Sequence, residues 1–224
     1  MLFLRVSCLS HSEFCDKRSK IETFMGSSHD YKGAANLKGV IATGNRLHAQ
    51  YAYMYRDFDS DLVLNRMERF LIRGAFQKQI GEDITVRGVF DNLRVIQAKG
   101  IKYVVPLELK TIMKKTMWSR EVNAAIRQLQ LYMYIVKDML DEIGYPLWKR
   151  GYLEIYSQYT GYRIRRIPVE YDENIEDWIR DVVNRFKGLS RMKAPHYAYC
   201  KRCPVQVRNA CSWYFLRRED NVSL

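Results

Sequence analysis

The chain has 224 residues, is 47% hydrophobic, and carries 37 Lys+Arg against 25 Asp+Glu, a net charge of +12. That apolar share can build a core and argues against a disordered chain. There is no run of eighteen apolar residues, so no transmembrane helix is expected, and Met1-Leu-Phe-Leu4 lacks the length and flanking charge of a signal peptide.

The positive excess favours a polyanionic partner, nucleic acid first, although a basic surface serving solubility alone would carry the same sign. Five cysteines make an odd count, and in a chain that reads as cytoplasmic, disulfides are not the first assignment.

In chain order, residues 7–24 read as a helix, with Ser10 or Ser12 as cap, Leu9, Phe14, Ile21 and Phe24 apolar, and Lys17, Arg18 and Lys20 polar. Residues 25–43 are rich in glycine and serine and read as a loop. Residues 44–57 read as a second helix carrying His48, and 58–70 fit no single period. The period then shifts to two, giving strands over 71–79, 84–97 and 101–110, the last two joined by a turn at Ala98-Lys-Gly100. Pro106 cannot donate to a ladder and implies an edge or a bulge.

Residues 118–142 carry Val122, Ile126, Leu129, Met133, Val136 and Leu140 at helical spacing, and Gly144 and Pro146 end the helix. Strands over 151–159 and 162–169 flank Thr160-Gly161 as a hairpin. A helix over 173–190 turns Ile175, Trp178, Ile179, Val182, Val183 and Phe186 inward. This order implies one α/β domain around a central mixed sheet, with the two ends of the chain packed together.

The strand ending at Thr111 holds the chemistry. Alternation puts Ile101, Tyr103, Val105, Leu107 and Leu109 on one face and Glu108 with Lys110 on the other. Taken alone, Glu-x-Lys reads as a solvated ion pair. If the preceding strand pairs with it as a hairpin, however, Asp91 reaches Glu108. Two carboxylates beside one ammonium make a site for a hard cation.

Cys200 and Cys203 form a C-x-x-C pair and Cys211 follows, so three thiols fall within twelve residues. A tetrahedral zinc site or a cubane needs a fourth ligand, and Cys15 is chosen over Cys8. An iron–sulfur cluster, a structural zinc and plain buried or surface thiols all remain open on spacing.

Gly44-Asn-Arg-Leu-His48, Gly88-Val-Phe-Asp91, Glu108-Leu-Lys110 and Gln128-Leu-Gln-Leu-Tyr132 occur in an order that resembles the RecB-like branch of the PD-(D/E)XK nucleases. With Cys15 and the C-x-x-C…C tail, the chain is similar to the iron–sulfur nucleases of CRISPR systems (Cas family four) and their viral relatives. Cysteines bracket the nuclease in AddB-type helicase–nucleases too. The resemblance spans residues 12–211. It departs in the wide Cys203–Cys211 spacing and in Pro106.

The resemblance implies a restriction-endonuclease-like core over 71–170, within a single nuclease domain over 1–224. Residues 1–57 and 191–224 would form a helical, cluster-binding cap. It implies Mg2+ or Mn2+ held by His48, Asp91, Glu108 and the Leu109 carbonyl, with Asp91, Glu108 and Lys110 as the catalytic set. It further implies a [4Fe-4S] cluster on Cys15, Cys200, Cys203 and Cys211, and DNA contacts from Gln128, Tyr132 and Arg127, with Arg120 as a further backbone contact.

The function so implied is a DNA exonuclease, single-stranded DNA preferred and 5′ to 3′, in CRISPR prespacer processing with integrase proteins as partners, or in viral DNA metabolism. The alternatives are a non-catalytic zinc- or cluster-stapled DNA-binding protein and a nuclease subunit of a helicase–nuclease.

Overall fold

The computed structural model describes residues 1–25, 46, 49–51, 57–113, 119–193, 200 and 203–212. The chain opens with strand β1 (Leu2–Arg5), a short helix α1 (Val6–Leu9), a 3-10 turn over Ser10–Glu13 and helix α2 (Asp16–Met25). Helix α3 (Phe58–Met67) leads through a second 3-10 turn to β2 (Phe76–Ile80), β3 (Ile84–Gly88), β4 (Asn92–Ala98) and β5 (Ile101–Ile112). The long helix α4 (Ser119–Glu142), the pair β6 (Arg150–Ser157) and β7 (Arg163–Glu170), helix α5 (Ile175–Lys187) and a short α6 (Val205–Ala210) follow.

The α/β architecture of mixed sheets flanked by helices is the expected one, but the strands form two sheets where one was expected. The first is β1-β3-β2, with β1 parallel to β3. The second is β4-β5-β6-β7, with β5 parallel to β6 and the outer pairs antiparallel. The division falls inside the run read as one strand over 84–97, because residues 89–91 leave the ladder between β3 and β4.

The N-terminal helix expected over 7–24 is broken at Phe14–Cys15, and Leu2–Arg5 is a strand instead, in register with Ile84–Arg87. The span left without a period, 58–70, is helical, with Asp57 capping α3 by accepting from the Ser60 N–H at 2.7 Å.

Helix α4 is buried on two sides. Ala125, Leu129 and Met133 pack on Leu153, Ile155 and Val169 of the second sheet. Leu131, Tyr132, Tyr134 and Ile135 join Leu4, Val6, Ile84, Val86 and Leu93 in the larger core. Each fully buried aliphatic chain contributes about 1.5–3 kcal/mol. Among the described residues no helix is long and apolar enough to cross a membrane.

The two chain ends meet. Asp16 and Arg185 are buried, and Arg185 Nε donates to Asp16 Oδ2 at 2.8 Å and Nη2 to Oδ1 at 3.3 Å. The Lys193 N–H adds a bond to Asp16 Oδ2 at 2.5 Å, and the Asp16 N–H returns one to the Lys193 carbonyl at 3.2 Å. Every oxygen of this carboxylate is therefore matched by a donor.

Candidate active site

β5 lies between β4 and β6, so it is an interior strand and Pro106 is on neither an edge nor a bulge. The sheet tolerates it by position. The Val104 N–H and carbonyl bond to Pro146 and Trp148, and alternation turns the ring nitrogen of Pro106 the same way. On that side the β6 ladder begins only at Leu107 opposite Tyr152, so no bond is lost. Gly151 faces this point, and a Cβ there would stand 2.9 Å from the Pro106 carbonyl oxygen.

The bend at 89–91 ends where β4 begins its ladder, Asn92 opposite Leu107. Asp91 is thereby brought to the end of β5, where its Oδ2 accepts the Leu109 N–H at 2.7 Å. Glu108 is fully buried on the face covered by α4. Its Oε1 accepts from the Lys110 ammonium, while its Oε2 has no hydrogen-bond partner among the described residues. Lys110 also donates to Gln128 Oε1 at 3.0 Å, and Gln128 Nε2 donates to the Tyr132 hydroxyl at 3.0 Å. A chain of polar groups thus runs from Glu108 through Lys110 and Gln128 to Tyr132, joining β5 to α4.

Burial, and then repulsion from Asp91, push the Glu108 carboxyl up to about 8, with Lys110 opposing both. Burial acts to lower Lys110, but Glu108 and Asp91 outweigh it and hold the ammonium above its ordinary value. Burial and the same two carboxylates keep the Tyr132 phenol neutral.

A buried carboxylate oxygen without a donor, next to a second carboxylate, is an unfavourable arrangement for two anions alone. It suits a hard divalent cation, which would supply the missing partner and cancel the repulsion. By oxygen chemistry the donors present fit Mg2+ or Mn2+. No three His, Cys, Asp or Glu side chains among the described residues converge as a complete metal site, and His48, the expected third ligand, lies outside those residues.

Gly88 shapes the site from β3. A Cβ there would lie 2.6 Å from the Tyr132 ring and 2.9 Å from Val6. Its φ is unremarkable for any residue, so space alone requires the glycine.

A cavity of about 480 Å3 opens beside Lys110 and Gln128, walled by His11, Phe14, Arg18 and Glu121 among others. Reading the sequence did not single out His11 or Glu22. His11 Nδ1 lies 2.5 Å from Glu22 Oε2, and Arg18 Nε donates to Glu22 Oε1 at 3.0 Å. The available signal was the polar run Ser10–Glu13 breaking an apolar stripe, which marks a turn and not a plain helix.

The expected DNA contacts sit differently from one another. Gln128 holds Lys110, and Tyr132 is buried and holds Gln128. Arg127 is engaged elsewhere: it donates to Glu13 and to Asp172, each at 2.6 Å, and its guanidinium lies 4.6 Å from the Trp178 ring centre. It bridges the N-terminal turn to the approach of α5. Arg120 lies 5.6 Å from the Phe14 ring centre.

The cysteines expected to act together lie close enough to repel one another as thiolates, but among the described residues no three of them converge as a metal site. Burial pushes the Cys15 thiol up to about 12, and Cys203, Cys211 and Cys200 add to the effect as like charges. Cys203 is pushed up to about 11 by burial, with Cys211 and Cys200 contributing. Cys8 lines the cavity instead.

Residues 29–211 match the PD-(D/E)XK nuclease superfamily. The chain belongs to that superfamily. Its matched span contains Asp91, Glu108 and Lys110, and begins after Cys15. Comparison with curated proteins found no match.

Among solved structures, the protein SSO0001 is similar with a TM-score of 0.52 at 15% identity, covering 92% of this chain and 85% of its own, a likeness of fold. A protein of Eubacterium rectale described as a "Putative exonuclease" is similar at a TM-score of 0.41 and 13% identity, covering 95% and 87% of the two chains.

Proposed function

We propose that this chain is a metal-dependent DNA exonuclease in which Asp91 and Glu108 hold Mg2+ or Mn2+, aided by His48 and the Leu109 carbonyl, and Lys110 is the catalytic lysine. The observation that carries the reading is the orphaned Glu108 Oε2, buried beside Asp91 and one residue pair away from an ammonium. A bound divalent cation supplies an activated water and charge neutralisation at phosphorus.

The chain's own residues do the rest. The Leu109 N–H fixes the Asp91 carboxylate in place. Gln128, itself held by Tyr132, sets the Lys110 ammonium where it can steady charge on a phosphate oxygen or orient a water. The cavity beside Lys110 is of a size that accepts a nucleotide-sized ligand, which favours action at a strand end.

Single-stranded DNA and 5′ to 3′ polarity are our reading of the substrate, drawn from the resemblance. The same holds for a [4Fe-4S] cluster on Cys15, Cys200, Cys203 and Cys211. The cluster would staple a cap formed by 1–57 and 191–224 over the core at 71–170. Prespacer trimming in CRISPR adaptation beside integrase proteins, or a viral counterpart, is the role this branch implies.

The test is degradation of end-labelled DNA. Single strands labelled at either end should be shortened with Mn2+ or Mg2+ and left intact in EDTA, and Glu108→Ala should abolish the reaction. Cleavage by Glu108→Ala at the wild-type rate would refute the site. Iron and sulfide analysis of anaerobically purified protein decides the cluster: zinc in stoichiometric amount without sulfide would replace it with a structural zinc.

A further inference from the structure

The turn between β6 and β7 presents two tyrosines to solvent. Tyr159 is 74% exposed and Tyr162 79%, whereas Tyr51, Tyr132, Tyr134, Tyr145 and Tyr156 are all buried. Aromatic rings of this size are normally covered, and two on one tip ask for a ligand.

The tip is held firmly. The N–H groups of Tyr159 and Thr160 both donate to Ser157 Oγ, at 3.2 and 3.3 Å. The Gly161 N–H donates to the Ser157 carbonyl at 2.9 Å, and the Ser157 N–H to the Tyr162 carbonyl at 3.0 Å. Tyr51 stacks on Tyr156 with ring centres 3.9 Å apart, and its hydroxyl donates to the Gly161 carbonyl. The two exposed rings therefore stand on an ordered base.

Position and charge say what they meet. The Gln158 N–H donates to the Ile112 carbonyl at 2.9 Å and its side chain to Thr111 Oγ1 at 3.1 Å, so the tip leaves the sheet just past Lys110. Lys110 pairs with Ile155, and Ile155 with Arg165. Paired residues share a sheet face, so exposed Arg165 lies in the row of Lys110, two strand spacings or about 10 Å away. Arg166 sits on the opposite face, and a register shift between Ile155 and Tyr156 turns Arg163 there too; both approach Glu154 Oε1, at 3.4 and 3.0 Å. Two of the three guanidiniums of β7 thus answer Glu154, and the strand keeps a positive excess.

Building on the nuclease reading, we propose that the β6–β7 hairpin is a platform for single-stranded nucleic acid beside the catalytic end of β5. Tyr159 and Tyr162 stack on bases, and Arg165 carries the backbone phosphate between them and Lys110. Stacking tolerates any base, and a duplex keeps its bases out of reach, so the platform selects for unpaired strands without reading their sequence.

The test is binding of a fluorescein-labelled 20-nucleotide oligodeoxythymidine to the full chain in EDTA, followed by anisotropy, with a duplex of equal length as control. Tyr159→Ala and Tyr162→Ala should each weaken single-strand binding about tenfold and leave duplex binding nearly unchanged. Tyr159→Trp should retain affinity and show indole quenching by the oligonucleotide. Arg165→Ala should lower the salt slope by about one.

Thermal melting checks that these surface variants fold. Mn2+-dependent hydrolysis of bis(p-nitrophenyl) phosphate, which needs no platform, should stay at the wild-type rate. Unchanged single-strand affinity in the double variant, as a protein-docking hairpin would give, or an equal loss on duplex, overturns the proposal. Failure of the wild-type chain to hydrolyse any phosphodiester would instead strike the nuclease reading, which binding in EDTA does not address.

Discussion

Asp16 and Glu108 are both fully buried carboxylates with a basic side chain beside them, yet they are built differently. Asp16 receives Arg185 on both oxygens and a backbone N–H besides. Glu108 receives Lys110 on one oxygen, has none on the other, and faces a second carboxylate. Glu154 follows the Asp16 pattern, taking Tyr156 on one oxygen at 2.7 Å and two arginines on the other. A carboxylate whose work is to hold the fold is saturated with donors, because each open oxygen costs stability. Glu108, the carboxylate proposed to take a cation, is left short of a partner and carries that cost in the absence of one.

This contrast can be broken by substitution. The largest loss of stability should come from Asp16→Ala, which leaves the buried Arg185 with the more exposed Asp181 as its ion partner and should cost about 3 kcal/mol in urea unfolding. A loss below about 1 kcal/mol would show that the pair is not the staple between the chain ends. Glu108→Gln should do the reverse. Cleavage should fall on the order of a thousandfold, while the melting temperature in EDTA should hold below pH 8 and rise by a few degrees above it, where the substitution removes a buried anion. A sharp drop in stability would place Glu108 with Asp16.

Glu154→Gln should lose about 1–2 kcal/mol of stability through weakened charged hydrogen bonds, with divalent-dependent hydrolysis of a small phosphodiester retained.

The last contrast is one of pH. Glu108 titrates near 8 in the folded, metal-free chain and near 4.5 when unfolded. Between those values the folded state holds the extra proton, so its contribution is fully present below about 4.5 and is lost as pH rises through 8. In EDTA, wild-type melting should therefore fall relative to Glu108→Gln from pH 5 to pH 8. Saturating Mg2+ should abolish that difference, because metal binding displaces the proton.

Local alternation was enough to put Glu108 and Lys110 on one face, and the turn at Ala98-Lys-Gly100 was enough to return Asp91 to them, because both are short-range properties of a hairpin. The α4 stripe was readable for the same reason, but only on one side. The second buried side depends on a sheet that includes β1, about eighty residues from its partner β3 in sequence.

Pairings of that range have no local signature. Arg127 looked available for phosphate because nothing near it in sequence is acidic and in reach, and Glu13 and Asp172 come to it only through the fold. The break at 89–91 was equally hidden, since Val89 and Phe90 continue the apolar pattern while their backbone leaves the ladder.

Gly88 ties these threads to the enzyme's tolerance for change. Tyr132 and Val6 already occupy the place of a β-carbon there, and Tyr132 is the anchor that ends at the Lys110 ammonium through Gln128. One added methyl would thus be felt at the lysine two relays away, with no ligand removed and no charge altered. If Lys110 is the catalytic lysine proposed above, such a chain could keep its shape and its basic surface while losing the cut, a single carbon atom away from its parent.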